Sequence, residues 1–347
     1  MEEIHKAETI SSSGCISCGS PAVVKGYPNA LCESCREGYI KFPIPVAIKI
    51  FAAAIGLIFV FAVYKIPKDF QVGMHLDKGN TAMQERRYLT AQKELQQVVD
   101  KVPGNLEAKS NLLIAAFNNE DFITFDKMYG QLAGQRYDDQ DLYGRVDYAI
   151  KRAVKYFPSD SFLSLQHLYD NNADKIPDIA LNKYIEKNQD EPYPSMVLAN
   201  RLFNAKSYAA VDSVENKILD ANPTYMPALS MMAMLKREEN KPAESIAYCD
   251  KMLNINAESV FALASKARTF LKEKKDAEGM ALAIRSHQMD ENNYYATGTL
   301  IMAYHFTNKT KERDDLINKI ALQKDSASAQ TMQYVKDIIS GKEIFRN

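Results

Sequence analysis

The 347-residue chain is poor in the groups on which most site chemistry depends. Its five histidines, His5, His75, His167, His287 and His305, are scattered, and no two stand four apart beside a glutamate, which excludes the helical zinc-protease arrangement. No glycine-rich phosphate loop, GxSxG elbow or kinase signature occurs, so the commonest nucleotide-binding and acyl-transfer sites are missing, and no small-molecule substrate is indicated. An excess of one charge is also lacking: 43 Lys and Arg face 44 Asp and Glu. Residues 1–43 follow suit, with Lys6, Lys25, Arg36 and Lys41 against Glu2, Glu3, Glu8, Glu33 and Glu37. No basic footprint for nucleic acid is present.

Cysteine is scarce, and its placement is informative. Four of the five cysteines fall between Cys15 and Cys35 as two CxxC pairs, with Cys249 alone elsewhere. A disulfide scaffold would spread its cysteines through the fold. Thiol–disulfide exchange would want a βαβ setting around a CxxC, and neither pair has one. Each CxxC puts two thiolates at the mouth of a tight turn, so Cys15, Cys18, Cys32 and Cys35 together offer the tetrahedral set that Zn²⁺ prefers. Four cysteine ligands leave no open position, which makes the expected zinc structural. The segment is rich in Gly and Pro (Gly14, Gly19, Gly26, Pro21, Pro28), a composition that predicts short strands, and in these respects 14–43 resembles a zinc ribbon. Residues 1–13 read as a flexible polar tail.

One long apolar run follows. Residues 44–66, IPVAIKIFAAAIGLIFVFAVYKI, carry one charge, Lys49, before an uninterrupted stretch from Ile50 to Tyr64. The 21 residues from Ile44 to Tyr64 span roughly 30 Å at about 1.5 Å per residue, the hydrocarbon thickness of a bilayer. A cleaved signal peptide would begin with a short basic segment, whereas this run starts after 43 acid-containing residues. A single transmembrane helix is the expectation. Flanking lysines and arginines are balanced, and zinc thiolates prefer a reducing compartment, so the N-terminus is expected to be cytoplasmic with the remainder across the membrane.

From residue 67 the pattern is helical to the end, and it repeats. Equivalent positions recur every 34 residues, as Ala228, Ala262 and Ala296, or Ala233, Ala267 and Ile301. One unit is plain in KGNTAMQERRYLTAQKELQQVVDKVPGN, where Gly79, Tyr88, Ala91, Leu95, Val98 and Pro103 alternate small, aromatic and large positions before a helix stop. A second copy has Ala199, Leu202, Tyr208, Val211, Ile218 and Pro223. This unit resembles the tetratricopeptide repeat, a family of stacked antiparallel helix pairs, and the resemblance covers 71–328. The implied fold class is an all-α solenoid of helical hairpins, in which each pair buries the apolar face of its neighbour. Residues 134–192 diverge, with Pro158, Pro177 and an aromatic crowd of Tyr137, Tyr143, Tyr148, Tyr156, Phe157, Phe162 and Tyr169 that reads as irregular inter-repeat packing. Residues 329–347 read as a C-terminal capping helix.

The family resemblance implies a partner: a protein or peptide lying along an inner groove lined by the first helix of each pair. Carried onto this sequence, that face comprises Met196, Asn200, Phe203, Asn204, Met234, Arg237, Arg268, Leu271, Lys272, Met302, His305 and Phe306. Some relatives clamp a peptide carboxylate with Lys and Asn here. Asn200, Asn204, Arg268 and Lys272 resemble that set, but Met196, Ser230, Ala264 and Gly298 stand where its early basic residue would be. The sequence thus points to a non-enzymatic, membrane-anchored docking scaffold with the bilayer as a second partner. Two other readings stand beside it: a membrane-bound regulator whose zinc module senses metal or redox state, and an enzyme site within 134–192.

Overall fold

The structure is a computed structural model that describes the backbone of residues 14–40, 44–321 and 326–346, with side chains described throughout these except at 62–69 and 321–331. The expected tail, 1–13, and residues 41–43 lie outside it. The chain divides into two units, 1–69 and 70–347.

In the first unit, residues 14–32 form turns and bends, followed by helix α1, Glu33–Ile40. The expected short strands are absent among the described residues. Only Ile16 N–H to Ala30 O (2.8 Å) and Val24 N–H to Leu31 O (3.0 Å) link the two halves of the turn segment, too few to form a ladder. Helix α2 runs Val46–Gln84. On its apolar part in this unit Val46, Ile50, Phe51, Leu57, Ile58, Phe59 and Val60 are exposed. Among the described residues no helix is long and apolar enough to cross a membrane. The expected span 44–66 runs past Phe61, and its last five residues lie outside the described side chains.

The second unit is all-α. Its helices are the end of α2, α3 (Tyr88–Lys101), α4 (Leu106–Asn118), α5 (Phe122–Leu132), α6 (Gln140–Ala153), α7 (Asp160–His167), α8 (Asp178–Lys187), α9 (Pro192–Asn204), α10 (Tyr208–Ala221), α11 (Met226–Glu238), α12 (Pro242–Ile255), α13 (Val260–Lys272), α14 (Asp276–Met289), α15 (Tyr294–Phe306), α16 (Thr310–Ala321) and α17 (Ser326–Ile339). From α9 to α16 the spacing is strict. First helices begin at Pro192, Met226, Val260 and Tyr294, and second helices at Tyr208, Pro242, Asp276 and Thr310, each 34 residues after the last. The result is a solenoid of tetratricopeptide-like hairpins.

The turn inside each hairpin is the same. Arg86, Glu120, Lys206, Asn240, Lys274 and Asn308 have φ between 56° and 62°, the left-handed conformation that ends a helix. The next amide in each case bonds back five residues, as Arg87 N–H to Ala82 O (2.8 Å) and Lys241 N–H to Lys236 O (2.8 Å), which satisfies a carbonyl the helix end leaves free. Side-chain caps start the first helices: Asn105, Ser259 and Asn293 accept from the amides of Ala108, Ala262 and Ala296. Small residues set how closely paired helices cross. A Cβ on Gly79 would stand 2.8 Å from Cδ2 of Leu95, and one on Gly279 2.8 Å from Cδ2 of Leu271. Leu95 is fully buried in that contact, a burial that contributes roughly 1.5–3 kcal/mol.

Residues 134–192 replace regular hairpins by α6, α7 and α8 joined through two 3₁₀ turns. Their aromatics knit the neighbours together. Tyr156 packs its ring on Phe117 (5.5 Å), Phe122 (5.4 Å) and Tyr225 (4.8 Å), and its hydroxyl accepts from the Met226 amide (3.3 Å). Phe162 lies between Tyr184 and Tyr193. Tyr143 and Tyr148 remain exposed.

The detour brings the first hairpins back against later ones. The Ala257 amide donates to Arg86 O (2.9 Å), and Arg86 Nη1 donates to Asn254 O (2.6 Å). Glu258 accepts from both the amide and the hydroxyl of Thr90 (2.7 Å each), and Asn256 Nδ2 donates to Asn118 O (3.2 Å). Leu89 packs on the cluster of Val260, Ala264 and Ala296.

Candidate functional sites: a cysteine quartet and an inner groove

Two turns bring the four cysteines together. Gly19, with φ +72°, closes the first, its amide donating to Cys15 O (2.8 Å), while the Cys15 amide donates to Ser20 O (2.7 Å). A Cβ on Gly14 would meet Gly19 O at 2.9 Å, so this crossing needs glycine. The second turn is the start of α1, which carries Cys35. All four sulfurs lie within 4.8 Å of one another, and Cys18 and Cys32 sulfurs are 3.6 Å apart. Tetrahedral zinc with bonds of about 2.3 Å needs sulfurs about 3.8 Å apart, close to the Cys18–Cys32 spacing, so the quartet has the ligand type and proximity to hold the ion. The Cys35 amide points at Cys32 Sγ (3.4 Å), the kind of N–H contact that supports a thiolate. The Cys32 backbone amide is the main influence lowering the Cys15 thiol to about 6, and the Cys18 thiol is the main one raising Cys35 to about 12. Arg36 closes the module from outside, stacked 3.6 Å over the Tyr27 ring and donating to Asn29 O (3.2 Å).

The expected groove residues fall into three groups. Asn200 and Asn204 on α9 are exposed, with Phe203 half-buried and edge-tilted on Tyr208 (5.8 Å). Met196, Leu271 and Met302 are buried in the cores between helices, whereas Met234 is half-buried. The charged members form rungs between successive first helices. Lys272 Nζ donates to Glu238 (3.0 Å), Arg237 Nη1 to Ser265 Oγ (3.3 Å), and Arg268 Nε to Thr299 Oγ1 (2.8 Å). Arg237 and Arg268 are 5% exposed, and Arg268 lies 3.8 Å over the Tyr295 ring. Burial pushes the Glu238 carboxyl up, but Arg237 and Lys272 outweigh it and hold the group below its usual range.

Helix α17 and the tail after it cover part of this face. α17 packs on α15. Tyr334 stands 5.8 Å from the Arg268 guanidinium, and Phe345 and Arg346 settle on Lys272 and Phe306 at the far end.

A second polar ladder, on the helices of the first hairpins, went unnoticed in the sequence. Arg145 Nη1 donates to Asn111 Oδ1 (3.4 Å), Asn111 Nδ2 to Asn80 Oδ1 (2.9 Å), and Asn80 Nδ2 to Glu107 (2.9 Å). Asn111 and Arg145 are 34 residues apart, so the repeat period was the available signal.

In the divergent stretch, a cleft of about 210 Å³ lies between Tyr148–Tyr156 and Ala221–Tyr225. Its lining supplies Arg152, Lys155 and tyrosines, with no carboxylate or histidine among the residues described, and its two cations are engaged with Thr224 O (3.1 Å) and Asn222 Oδ1 (2.5 Å).

No family model matches this sequence, and no curated protein matches it. Among solved structures the chain is similar to yeast Tom70 (14% identity, 73% of this chain and 60% of that one, TM-score 0.38). It is also similar to a chain of the APC/C hetero-tetramer Cut9-Hcn1 (8% identity, 75% and 55%, TM-score 0.41) and to pilF of Pseudomonas aeruginosa (14%, 77% and 99%, TM-score 0.30). It thus spans less than two thirds of the Tom70 and Cut9-Hcn1 chains. The strict 34-residue spacing of its own helices, rather than these likenesses, carries the fold assignment.

Proposed function

We propose that the chain is a membrane-anchored docking scaffold, in which the solenoid holds a protein or peptide segment along its inner helices. The observation that carries this reading is the row of first helices α9, α11, α13 and α15, whose α9 end presents Asn200 and Asn204 to solvent beside the half-buried Phe203 and, on α11, the half-buried Met234. Exposed amides and half-buried apolar side chains along one row suit an extended segment of protein better than a small molecule. The anchor is the apolar start of α2. Apolar side chains exposed on all sides of a helix, from Val46 to Val60, are ill suited to water, and lipid is the solvent that suits them. Anchoring raises the local concentration of whatever the groove binds.

Zinc is the ion that suits the quartet of Cys15, Cys18, Cys32 and Cys35, and it would hold together a module too small to fold on apolar burial alone. Thiolate zinc favours a cytoplasmic position for that module, with the repeats on the other side of the bilayer.

The test is site-specific photocrosslinking in native membranes from Asn200 and Asn204, with Ile123 on an outer position as control. Crosslinks to a discrete protein from the two groove sites and not from Ile123 are expected. Equal or no capture from all three overturns the docking reading. Protease accessibility of the repeats in intact and opened cells reports the orientation.

A further inference from the structure

The far end of the expected groove, at Lys272 and Phe306, is covered by the chain's own tail. After α17, Gly341 takes φ +76°, its amide bonding back to Ile338 O (3.1 Å), and this reverses the backbone toward α13 and α15. Two side chains of the tail are then held. Phe345 is 5% exposed, stacked on Phe306 at 5.7 Å with an interplanar angle of 22°, and Lys272 Nζ lies 5.9 Å from its ring. Arg346 faces Asp276 with both terminal nitrogens, Nη1 to Oδ1 and Nη2 to Oδ2 (3.2 Å). It also donates to Leu271 O (2.8 Å) and sits 3.9 Å over the Phe306 ring. The residue just before the pair, Ile344, is 74% exposed. What the pocket reads is therefore an aromatic side chain followed directly by an arginine.

The fit is specific in its parts. Phe306 supplies an apolar platform for two neighbours at once, a ring and a guanidinium. Asp276 presents both oxygens to the planar fork of arginine, a geometry lysine cannot match. Leu271 O adds a third acceptor at a fixed place because it is a backbone atom. Lys272 and Phe306 are also members of the groove that the sequence picked out.

We infer that Leu271, Lys272, Asp276 and Phe306 form a recognition pocket for an aromatic–arginine segment, and that the chain's own Phe345–Arg346 fills it as a resident competitor. A partner segment bearing the same pair binds only by displacing the tail. This inference rests on the docking reading above and deepens it by naming the ligand chemistry. A tethered competitor acts at an effective concentration on the order of millimolar, so it screens out weak ligands and admits strong or multivalent ones.

The experiment compares full-length protein in detergent with a version ending at Gly341, using a fluorescein-labelled, C-terminally amidated peptide of residues 341–346 as probe. Saturable binding to the shortened chain, at least tenfold tighter than to the full chain, is expected. D276K should abolish it, and a peptide with Arg346→Glu should bind the D276K chain in its place. Should the shortened chain lose its helical circular dichroism, the full-length F345A/R346A variant, which keeps α17, serves instead. Absence of peptide binding to a folded tail-less or F345A/R346A chain, or binding indifferent to D276K, overturns the inference. Photocrosslinking from Asn200 and Asn204, on a different helix pair, reads the general docking function separately, so protein capture there without peptide binding sinks the pocket alone.

Discussion

Glu215 occupies the eighth position of α10, the place taken by Leu95, Cys249 and Ala283 in α3, α12 and α14, all fully buried. It is buried to the same degree, and neither carboxyl oxygen has a hydrogen-bond partner. Burial raises its pKa to about 8, so at pH 7 the folded chain carries it protonated while the unfolded chain ionises it. The sign follows directly. A raised folded-state value means that stability is greatest below the unfolded value of about 4.3 and is lost as pH climbs from there through about 8. At about 1.4 kcal/mol per unit the loss at pH 7 is roughly 3–4 kcal/mol relative to pH 4, a large share of the stability of an ordinary domain. Replacing the group by an apolar one of similar length removes both the ionisation and the unpaired polar atoms. The E215M variant should melt roughly 5–10 °C higher than the parent at pH 7, with the gap narrowing toward pH 5. The assay is thermal unfolding of the full chain in detergent, followed by circular dichroism at pH 5, 6, 7 and 8. A parent whose melting temperature does not fall over that range, or an E215M chain that melts lower at pH 7, refutes the reasoning.

Two further outcomes follow from contacts described above. G79V forces branched carbons into the space of Leu95, and it should destabilise the second unit by about 1–3 kcal/mol, read as a lower unfolding midpoint in urea. The conservative control is the exposed Gly144, where a Cβ meets nothing within 4 Å and alanine should be neutral or mildly stabilising. The cysteine quartet should bind one zinc ion per chain, and C32S should lower retained zinc at least tenfold after dialysis against a mild chelator, measured by atomic emission. A parent chain that retains no zinc under the same dialysis counts against the metal.

The repeat was legible because its physics is local. A 34-residue unit must place a small residue wherever two helices cross, and Gly79, Ala199, Ala233 and Ala267 show it without any knowledge of distant contacts. The quartet was legible for the same reason, since CxxC is a turn and its ligand set at once. Turn-forming residues alone predict short strands in 14–43, but a strand needs a partner with matching register, and only two bonds, Ile16 to Ala30 and Val24 to Leu31, link the two halves of 14–32. The return of the first hairpins depends on pairs such as Thr90 and Glu258, 168 residues apart, for which no periodicity exists. The place of the tail was hidden likewise, because Phe345 and Arg346 reveal nothing until Asp276 and Phe306 stand beside them. Glu215 was visible as an acid in an apolar phase, a signal the period itself could have raised.

Open stacks of α-hairpins behave as springs: they stretch, coil and fray from either end. A buckle fastens this one, where Glu258 grips Thr90 and Asn254 receives Arg86. Pitch in the stretch between those residues is thereby fixed before any guest arrives, and melting there should proceed in a single step instead of unravelling hairpin by hairpin.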